Sequence, residues 1–193
     1  MTTDGPARPA EHPAGGRSGA AAPLVVVIAG PQASGKSALA SALGAELRRR
    51  GERVAVVELD AIAAMALPTL PGWAEAHAVF EEVVRLWART DLTCVVAEGS
   101  GTGAEVARLV RAAPPGAAVL TVAVTADLAT AHARAQEDPT RGVSKDLAFL
   151  RGVYDRWPQE RSAMAPDVLL DTTATDVTAG VARVVDALAA RPS

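Results

Sequence analysis

The sequence predicts a three-layer α/β fold in which a five-stranded, parallel, doubly wound sheet lies between two layers of helices. Short apolar runs alternate with helical patterns from Leu24 onward. These runs are rich in β-branched residues and lack polar alternation, which is typical of strands covered on both faces. A helix between successive strands favours right-handed crossovers, and therefore parallel pairing.

The elements are predicted in a regular order along the chain. The first strand reads LVVVIA, and the later ones are equally apolar and short. Strands are predicted at Leu24–Ala29, Arg53–Leu59, Thr93–Ala97, Val119–Val124 and Val168–Leu170. The helices between and after them are predicted at Lys36–Arg50, Trp73–Thr90, Gly103–Ala112, Leu128–Glu137, Ser144–Trp157 and Asp176–Ala190. No internal repeat and no second domain are evident, so residues 23–193 are predicted to form one domain.

Composition limits the classes of protein to which the chain can belong. The 193 residues are 49% hydrophobic, enough for one domain with a sizeable core. A net charge of −3, with only three Trp, two Phe and one Tyr, disfavours a nucleic-acid partner or a polybasic membrane surface. The single cysteine excludes an internal disulfide and is typical of a reducing compartment.

Residues 1–22 are predicted to form a flexible tail, because they are rich in Pro, Gly and Ala and show no hydrophobic periodicity. The first apolar run is too short for a secretory signal. No segment approaches the roughly 20 apolar residues that span a bilayer. We therefore expect a cytoplasmic protein without a membrane partner.

A phosphate-binding motif lies between the first strand and the first helix. Residues 30–37 read GPQASGKS and match G-x-x-x-x-G-K-[ST] in full. Glycines let successive backbone N–H groups point at phosphate oxygens, and the helix N-terminus adds partial positive charge. Lys36, one of two lysines in the chain, is predicted to reach the β- and γ-phosphates, and Ser37 to supply a hydroxyl to Mg²⁺. The nucleotide-binding residues are predicted to be Gly30, Gln32, Ala33, Ser34, Gly35, Lys36, Ser37 and Ala38.

The remaining sequence favours a small kinase among the proteins that carry this motif. The chain contains no Asn, so the N-K-x-D motif that reads guanine in GTPases is absent. Large ATPase machines need sensor and assembly elements for which the chain has little room. A small kinase needs an acid near the acceptor hydroxyl, support for Mg²⁺ and an arginine-bearing lid.

Two carboxylates that follow strands are the candidate acids. Asp60, at the end of VVELD, is predicted to activate the attacking hydroxyl, and a helix cap for the next segment is the alternative. Glu98, at the end of CVVAE, is predicted to support Mg²⁺ or to face the substrate. The glycine-rich turn after it would let the backbone approach a ligand, with Ser100 as a substrate contact. Helix capping by Ser100 or Thr102 is the alternative there.

A lid is predicted around residues 134–145. Asp138-Pro139 breaks the preceding helix, and the glycine after Arg141 supplies a hinge. Arg134 and Arg141 are predicted to fold over the triphosphate and stabilise the charge on the transferring group, as catalytic residues beside Lys36. A solvated charged loop is the alternative. Lys145 either joins the arginines or faces water.

Two further regions are candidates for ligand contacts. Thr172, after the last strand, is predicted to contact the adenine, and a cap for the final helix within residues 171–173 is the alternative. Trp73 and His77 begin a helix near the carboxyl edge of the sheet and are predicted to line an acceptor pocket. Phe80 and Trp87, on the same helix, are predicted to pack on the core.

These features resemble the small P-loop kinases of the nucleoside-monophosphate-kinase-like fold. In layout the chain is similar to the chloramphenicol phosphotransferases, and also to gluconate, adenylylsulfate and zeta-toxin kinases. The resemblance spans residues 24–190 and rests on GPQASGKS, VVELD, ARAQEDPTRG and DVLLDTT. It implies that Asp60 acts as the base and that Arg134 and Arg141 are lid arginines. The third strand departs from many relatives, since it ends in Glu98 where they carry Asp.

The expected function is ATP- and Mg²⁺-dependent transfer of the γ-phosphoryl group to a hydroxyl of a small molecule. The resemblance, with a composition typical of GC-rich genomes, implies an antibiotic or secondary metabolite as the acceptor. A nucleotide or sugar-nucleotide kinase and a non-catalytic nucleotide-binding module or regulatory NTPase are the alternatives. The sequence leaves the oligomeric state open, and a homodimer is one alternative.

Overall fold

A single parallel sheet forms the centre of the protein. The computed structural model describes residues 23–191, so the tail predicted at 1–22 lies outside the described residues. The strands are β1 (Leu24–Ala29), β2 (Val54–Glu58), β3 (Cys94–Glu98), β4 (Ala118–Thr125) and β5 (Val168–Asp171). All neighbouring strands are parallel, in the order β2-β3-β1-β4-β5. The predicted doubly wound α/β fold is therefore confirmed.

Seven helices connect and cover the strands within the described part of the chain. They are α1 (Lys36–Arg49), α2 (Leu59–Ala64), α3 (Trp73–Trp87), α4 (Gly103–Ala112), α5 (Leu128–Glu137), α6 (Leu147–Met164) and α7 (Val177–Ala189). A short 3₁₀ turn, Val143–Lys145, precedes α6. Among residues 23–191, none of the helices combines the length and the apolar character that crossing a membrane requires.

The central strand β1 is buried on both faces, as its unbroken apolar sequence predicts. Val26 and Ile28 pack into a first core cluster with residues of α1 and α7. Val25 and Val27 point the other way, into a second cluster with residues of α3 and α4. Burying a valine or isoleucine side chain stabilises the fold by about 1.5–3 kcal/mol. The alternation along one strand thus builds two cores, one on each side of the sheet.

The register brings the carboxyl ends of three strands to one edge. Glu98 of β3 is paired with Ile28 of β1 on one side and with Glu58 of β2 on the other. β3 and β2 lie on one side of β1, and β4 and β5 lie on the other, so the order of the strands reverses at β1. Ligands of open α/β sheets bind at such switch points. The loops that carry the predicted site residues after β1, β2 and β3 therefore leave the sheet beside one another.

The region of Asp60 differs from its prediction as the end of a strand. β2 ends at Glu58, and α2 begins immediately afterwards. Glu58 holds the N-cap position of α2, so Asp60 lies within the first helical turn and the alternative of a capping role for it is wrong. A carboxylate in the first turn is favoured by the helix dipole, which explains this local preference.

The sixth helix is longer and later than predicted. The prediction started it at Ser144 and ended it at Trp157, because proline lacks a backbone donor. In the structure, Asp146 caps the helix by accepting from the Phe149 N–H at 2.9 Å, and α6 continues through Pro158 to Met164. Packing outweighs the lost bond: Met164 joins the second core cluster, and the Glu160 carboxylate accepts from the backbone N–H at the start of α4 (2.7 Å).

Candidate active site

The loop between β1 and α1 has the shape that the phosphate-binding motif predicts. Ala33 and Gly35 have φ values of 60° and 96°, so the chain curls and directs N–H groups inward. The first helical bond of α1 runs from the Leu39 N–H to the Gly35 carbonyl (3.0 Å). No side chain caps α1 within the described chain, so its first-turn N–H groups remain open to an anion.

Lys36 and Glu98 form a buried pair beside this loop. The Lys36 ammonium donates to the Pro31 carbonyl (3.1 Å) and lies 3.6 Å from Glu98 Oε1. Glu98 is only 4% exposed. Burial raises the pKa of Glu98 to about 7, and the nearby carboxylates of Asp60 and Glu58 add to the rise, while Lys36 opposes it. A carboxyl group in a cleft whose pKa is raised to near neutral pH is typical of functional sites.

One cleft of about 530 Å³ brings most of the predicted site residues together. This volume is in the range of small-molecule sites. Its walls come from the phosphate loop, α2, α3, the turn after β3, and the region between α5 and α6. The sequence-predicted residues that line it are Gln32, Ala33, Gly35, Lys36, Ser37, Ala38, Asp60, Trp73, His77, Glu98, Ser100, Arg134 and Arg141. Gly30, Ser34 and Thr172 are not among the lining residues.

Gly30 lies behind the phosphate loop, where it makes two close backbone contacts. A Cβ at this position would lie 2.2 Å from the Val124 carbonyl oxygen of β4. Gly101, whose φ is 94°, approaches from the turn after β3, and its Cβ would lie 2.6 Å from the Gly30 nitrogen. Gly101 thus allows close packing of two loops, while Gly99 and Ser100 of the same turn line the cleft, so the expected approach of this turn to a ligand stays a prediction. Ser34 is fully buried, and its hydroxyl has no partner in the described chain.

Thr172 connects the last strand to the phosphate loop. Its hydroxyl donates to the Ser34 carbonyl (2.7 Å) or to the Thr125 carbonyl (3.1 Å), and it accepts from Arg134 Nη1 (2.8 Å). The alternative of a helix cap at 171–173 is wrong, because Asp176 caps α7 by accepting from the Ala179 N–H (2.8 Å).

A second cavity of about 270 Å³ adjoins the phosphate loop on the Thr172 side. It shares Gly35, Ala38 and Arg134 with the larger cleft, and Asp176 contributes to its wall. Its apolar lining includes Leu39, Leu170 and Val177. Thr172 itself lines this cavity, so its predicted contact with adenine stays a prediction with a cavity beside it.

Each of the two predicted lid arginines is held by a partner in the structure. Arg134 is held by two bonds to Thr172, through its hydroxyl and its carbonyl (2.9 Å). Arg141 Nε lies 3.2 Å from Asp138 Oδ2, and Asp138 also accepts from the Thr140 hydroxyl (2.6 Å). These hydrogen bonds lower the pKa of Asp138. Both arginines line the cleft, whereas Lys145 does not; its carbonyl accepts from Gln136 (2.8 Å).

Glu105 is a buried residue of the site that the sequence did not indicate. It is 1% exposed, and its Oε2 accepts from the Ser100 N–H (2.9 Å) and from the Ser100 hydroxyl. Gly99 makes this possible, because a Cβ there would lie 2.5 Å from Glu105 Oε1. Thr102 caps α4 by accepting from the Glu105 N–H (3.2 Å), as one alternative expected. The T-x-x-E spacing would have indicated only a capping box, not this carboxylate position.

The other oxygen of Glu105 faces a histidine of the cleft. Glu105 Oε1 lies 3.3 Å from His77 Nδ1. Both atoms are shielded from solvent, and within the described residues neither has a hydrogen-bond partner, so the two groups lie close together without the geometry of a hydrogen bond. His77 belongs to α3 and its side chain is 21% exposed, so the ring lies between a buried carboxylate and the open cleft. The sequence indicated His77 but not the residue that faces it.

The aromatic residues divide between the core and the cleft. Phe80 is fully buried in the second core cluster, as predicted. Trp87 is 46% exposed, so its prediction as a core residue is wrong; the buried positions here, Ala76, Phe80, Val84 and Ala88, recur every four residues, and Trp87 lies beside that row. Trp73, at the start of α3, and Phe149 of α6 both line the cleft and keep exposed ring surface.

The oxygen ligands that this site can offer are suited to a magnesium-bound nucleoside triphosphate. Among residues 23–191, no group of three or more His, Cys, Asp and Glu side chains could hold a metal by itself. Mg²⁺ in nucleotide sites usually takes only one or two protein ligands, with phosphate and water oxygens completing its octahedron. The Ser37 hydroxyl and the Glu98 carboxylate would supply such ligands, beside the uncapped start of α1.

Comparisons with known proteins agree with this geometry. Residues 14–67 match the family model of the methylmalonyl Co-A mutase-associated GTPase MeaB, a stretch that includes the phosphate loop but covers less than half of the chain. No curated protein matches the sequence. Shikimate kinase from Bacteroides thetaiotaomicron superposes with a TM-score of 0.63 at 14% identity, over 86% of this chain and 98% of that one.

Two further solved structures are similar over nearly their whole length. The Mycobacterium tuberculosis APS kinase CysC, in complex with AMPPNP and APS, has a TM-score of 0.61 at 16% identity and covers 87% of this chain and 98% of its own. A sugar kinase from Janibacter sp. HTCC2649 has a TM-score of 0.59 at 20% identity, with 88% and 96% covered. Identities this low establish shared architecture only. The chain therefore has the nucleotide-binding fold of the P-loop-type kinases.

Proposed function

We propose that the protein is a kinase that transfers the γ-phosphoryl group of ATP to a hydroxyl of a small molecule. The observation that carries the proposal is the continuity of the cleft. One cavity joins the phosphate loop with its Lys36 to a wall made by Asp60, Trp73 and His77. A protein that only binds a nucleotide has no need of a second, connected compartment with a carboxylate and a histidine beside the phosphates.

In this mechanism the acceptor oxygen attacks the γ-phosphorus in line, while the bond from that phosphorus to the oxygen shared with ADP breaks. Lys36 and the loop amides would hold the phosphates, and Arg134 and Arg141 would balance the charge of the transferring group. Asp60 would accept the hydroxyl proton as the new bond forms. Its position in the first turn of α2, with an exposed side chain on the cleft wall, supports this role.

The buried pair of Glu98 and Lys36 supports a metal requirement. Mg²⁺, bound through Ser37 and Glu98, would neutralise phosphate charge and orient the triphosphate. A cation beside Glu98 favours its ionised form, which burial otherwise disfavours.

The test is acceptor-dependent release of ADP. The purified protein is incubated with ATP and Mg²⁺ in the presence of hydroxylated antibiotics, secondary metabolites, sugars and nucleotides, and products are identified by mass spectrometry. We expect at least one acceptor to gain a single phosphoryl group and Lys36→Ala to abolish its formation. ATP binding without phosphorylation of any compound in the panel would count against a kinase.

A nucleotide or sugar-nucleotide acceptor would require a second set of arginines near α3. Arg85, one candidate, is engaged by Glu82 on the same helix and does not line the cleft. Arg89, the other candidate, does not line the cleft either, which makes this alternative less favoured, and nucleotides and sugar nucleotides serve in the panel as a comparison class.

The match to a GTPase family model favours a second candidate, a nucleotide hydrolase that uses GTP. The matched residues 14–67 contain the phosphate loop and β2, which kinases and GTPases share in outline. Titration calorimetry with ATP and GTP, followed by hydrolysis assays without acceptor, separates the two candidates. GTP hydrolysis at a rate unaffected by every acceptor would favour the hydrolase.

A further inference from the structure

The compartment beside the phosphate loop has a distinctive distribution of charge. We use "acceptor side" for Leu59, Asp60, Trp73, His77, Val143 and Phe149, which α2, α3 and the segment from the 3₁₀ turn into α6 contribute to the cleft. Among the lining residues of the described chain, Lys36, Arg134 and Arg141 are the only Lys or Arg side chains. None of them belongs to the acceptor side.

These three cations already have partners elsewhere. Lys36 is held by the Pro31 carbonyl and Glu98, Arg134 by Thr172, and Arg141 by Asp138. Their shared task in the proposed function is to bind the triphosphate. An acceptor with a carboxylate or phosphate of its own would therefore meet no unengaged guanidinium or ammonium on the acceptor side.

Instead, carboxylates surround that compartment. Asp60 lies on its wall, Glu98 lines the same cleft, and Glu105 Oε1 lies 3.3 Å from His77 Nδ1. An anionic group placed there would be repelled at short range in a partly dehydrated site. A polar but uncharged hydroxyl compound would meet no such repulsion.

The acceptor side also includes large apolar side chains that are exposed. Trp73 is 55% exposed, Val143 62% and Phe149 36%. Aromatic rings and apolar side chains that converge on a cavity are typical of sites that bury the non-polar body of a ligand. This surface complements a ring or hydrocarbon portion in the acceptor.

His77 supplies the polar contact among these apolar groups. Because Glu105 Oε1 lies against Nδ1, it favours a proton on that nitrogen. Nε2 of this cleft-lining residue is then left as the hydrogen-bond acceptor of the ring. Glu105 is fixed in turn by Ser100, through both the N–H and the hydroxyl. The arrangement holds an imidazole in one tautomer toward the cleft, as carboxylate–histidine pairs do in other enzymes.

We propose that the acceptor is an uncharged hydroxyl compound with an apolar ring or chain, and that His77, oriented by Glu105, accepts a hydrogen bond from one of its hydroxyls. Trp73 and Phe149 would cover the apolar portion. Asp60 keeps the role of proton acceptor, and Glu105 is a positioning residue that acts through His77. This inference rests on the proposed kinase function, and it names the class of substrate for that site.

The first experiment compares acceptor classes in the ADP-release assay with ATP and Mg²⁺. One class contains neutral alcohols with an aromatic body, such as phenyl glucoside; the second contains neutral sugars without one, such as glucose. The third contains anionic acceptors, such as gluconate and glucose 6-phosphate. We expect kcat/KM to be highest in the first class, by at least tenfold over the third. A preferred anionic acceptor would overturn the inference while leaving a kinase, whereas no turnover in any class would overturn both.

The second experiment tests His77 and Glu105 with the best neutral acceptor. His77→Ala should raise the acceptor KM by about tenfold or more, the usual effect of losing a buried hydrogen bond. Glu105→Gln should raise it by a smaller factor. If Glu105 acts through His77, the double variant should be no worse than His77→Ala alone. Losses that multiply in the double variant would show an independent structural role and refute the positioning relation.

Two measurements separate these effects from unfolding. Val79→Ala changes an exposed residue on the outer side of α3 and should leave the acceptor KM unchanged. The melting temperature and the Kd for ATP of each variant show whether the fold and the phosphate loop are intact. An acceptor KM for His77→Ala equal to that of the wild type, in a folded variant, would remove His77 from the acceptor site.

Discussion

Replacing Glu98 with glutamine should stabilise the nucleotide-free protein at pH 8 and have little effect at pH 4.5. The carboxyl of Glu98 is buried, and its pKa rises from 4.5 to about 7. A group whose pKa is raised on folding binds its proton more tightly in the native state. Its favourable contribution is present below about pH 4.5 and is lost as the pH rises through 7.

The magnitude follows from the two pKa values. Each pKa unit corresponds to about 1.4 kcal/mol, so the interval from 4.5 to about 7 amounts to about 3 kcal/mol above pH 7. Glutamine is always neutral and avoids this penalty. At pH 8 the variant should therefore have a free energy of unfolding about 3 kcal/mol higher than the wild type, or a melting temperature higher by roughly 6–12 °C. At pH 4.5 the difference should fall below about 1 kcal/mol.

The assay is urea unfolding across pH 4.5–8 without nucleotide or Mg²⁺. Glu46→Gln is the matched control, because the hydrogen bonds from Arg49 and Arg50 lower the pKa of Glu46 to about 2 at an exposed site. The contribution of Glu46 to the free energy of unfolding depends on pH in the opposite direction to that of Glu98. It is present above about pH 4.5 and is lost as the pH falls toward 2. A Glu98→Gln difference that does not vary with pH, or that favours the wild type at pH 8, would refute the reasoning.

The remaining predictions concern activity and loop packing. Asp60→Ala should lower kcat by about 10²–10⁴-fold while the Kd for ATP, measured by calorimetry, stays within about twofold; retained turnover would remove Asp60 as the base. Gly101→Ala should destabilise the protein by more than about 2 kcal/mol in urea, since its Cβ would meet the phosphate-loop backbone at 2.6 Å and its φ is positive. Gly152→Ala, within α6, is its control and should not destabilise the protein, because the added Cβ would lie 3.5 Å from Arg156 Nη1 in an ordinary van der Waals contact. Thr172→Val should weaken ATP binding by about tenfold, because it leaves Arg134 Nη1 without its acceptor; unchanged affinity would show that the anchored arginine is not needed.

The fold was predictable because its signals are local and repeated. β1 is apolar at every position, and its burial on both sides of the sheet follows directly from that pattern. Helix ends were less predictable, since they depend on tertiary packing. The sequence could not show that α6 would continue through Pro158, because the contacts that hold its last turns come from α4 and from the second core cluster.

The phosphate loop was predictable, and part of the acceptor side was not. Lys36 and Ser37 belong to one contiguous motif whose spacing is fixed by the ligand. Glu105 lies 28 residues after His77 in the sequence, and its approach depends on Gly99 lacking a side chain. No single-sequence pattern joins such residues. The exposure of Trp87 was missed for a related reason: helical spacing identifies a face, but the buried row takes every fourth residue from Ala76 to Ala88, and Trp87 lies beside it.

The separation of the two cores by the sheet has a consequence for how the protein could change. The helix behind the phosphate loop, α1, packs in the first cluster, while α2 and α3, which carry the acceptor-side residues, pack in the second. Mutations that do not share packing partners have nearly additive effects on stability. Under the proposed function, the helices that carry the acceptor-side residues could therefore be remodelled without disturbing the packing behind the phosphate loop. Within one small domain, the proposed phosphoryl transfer and its acceptor specificity could then evolve independently.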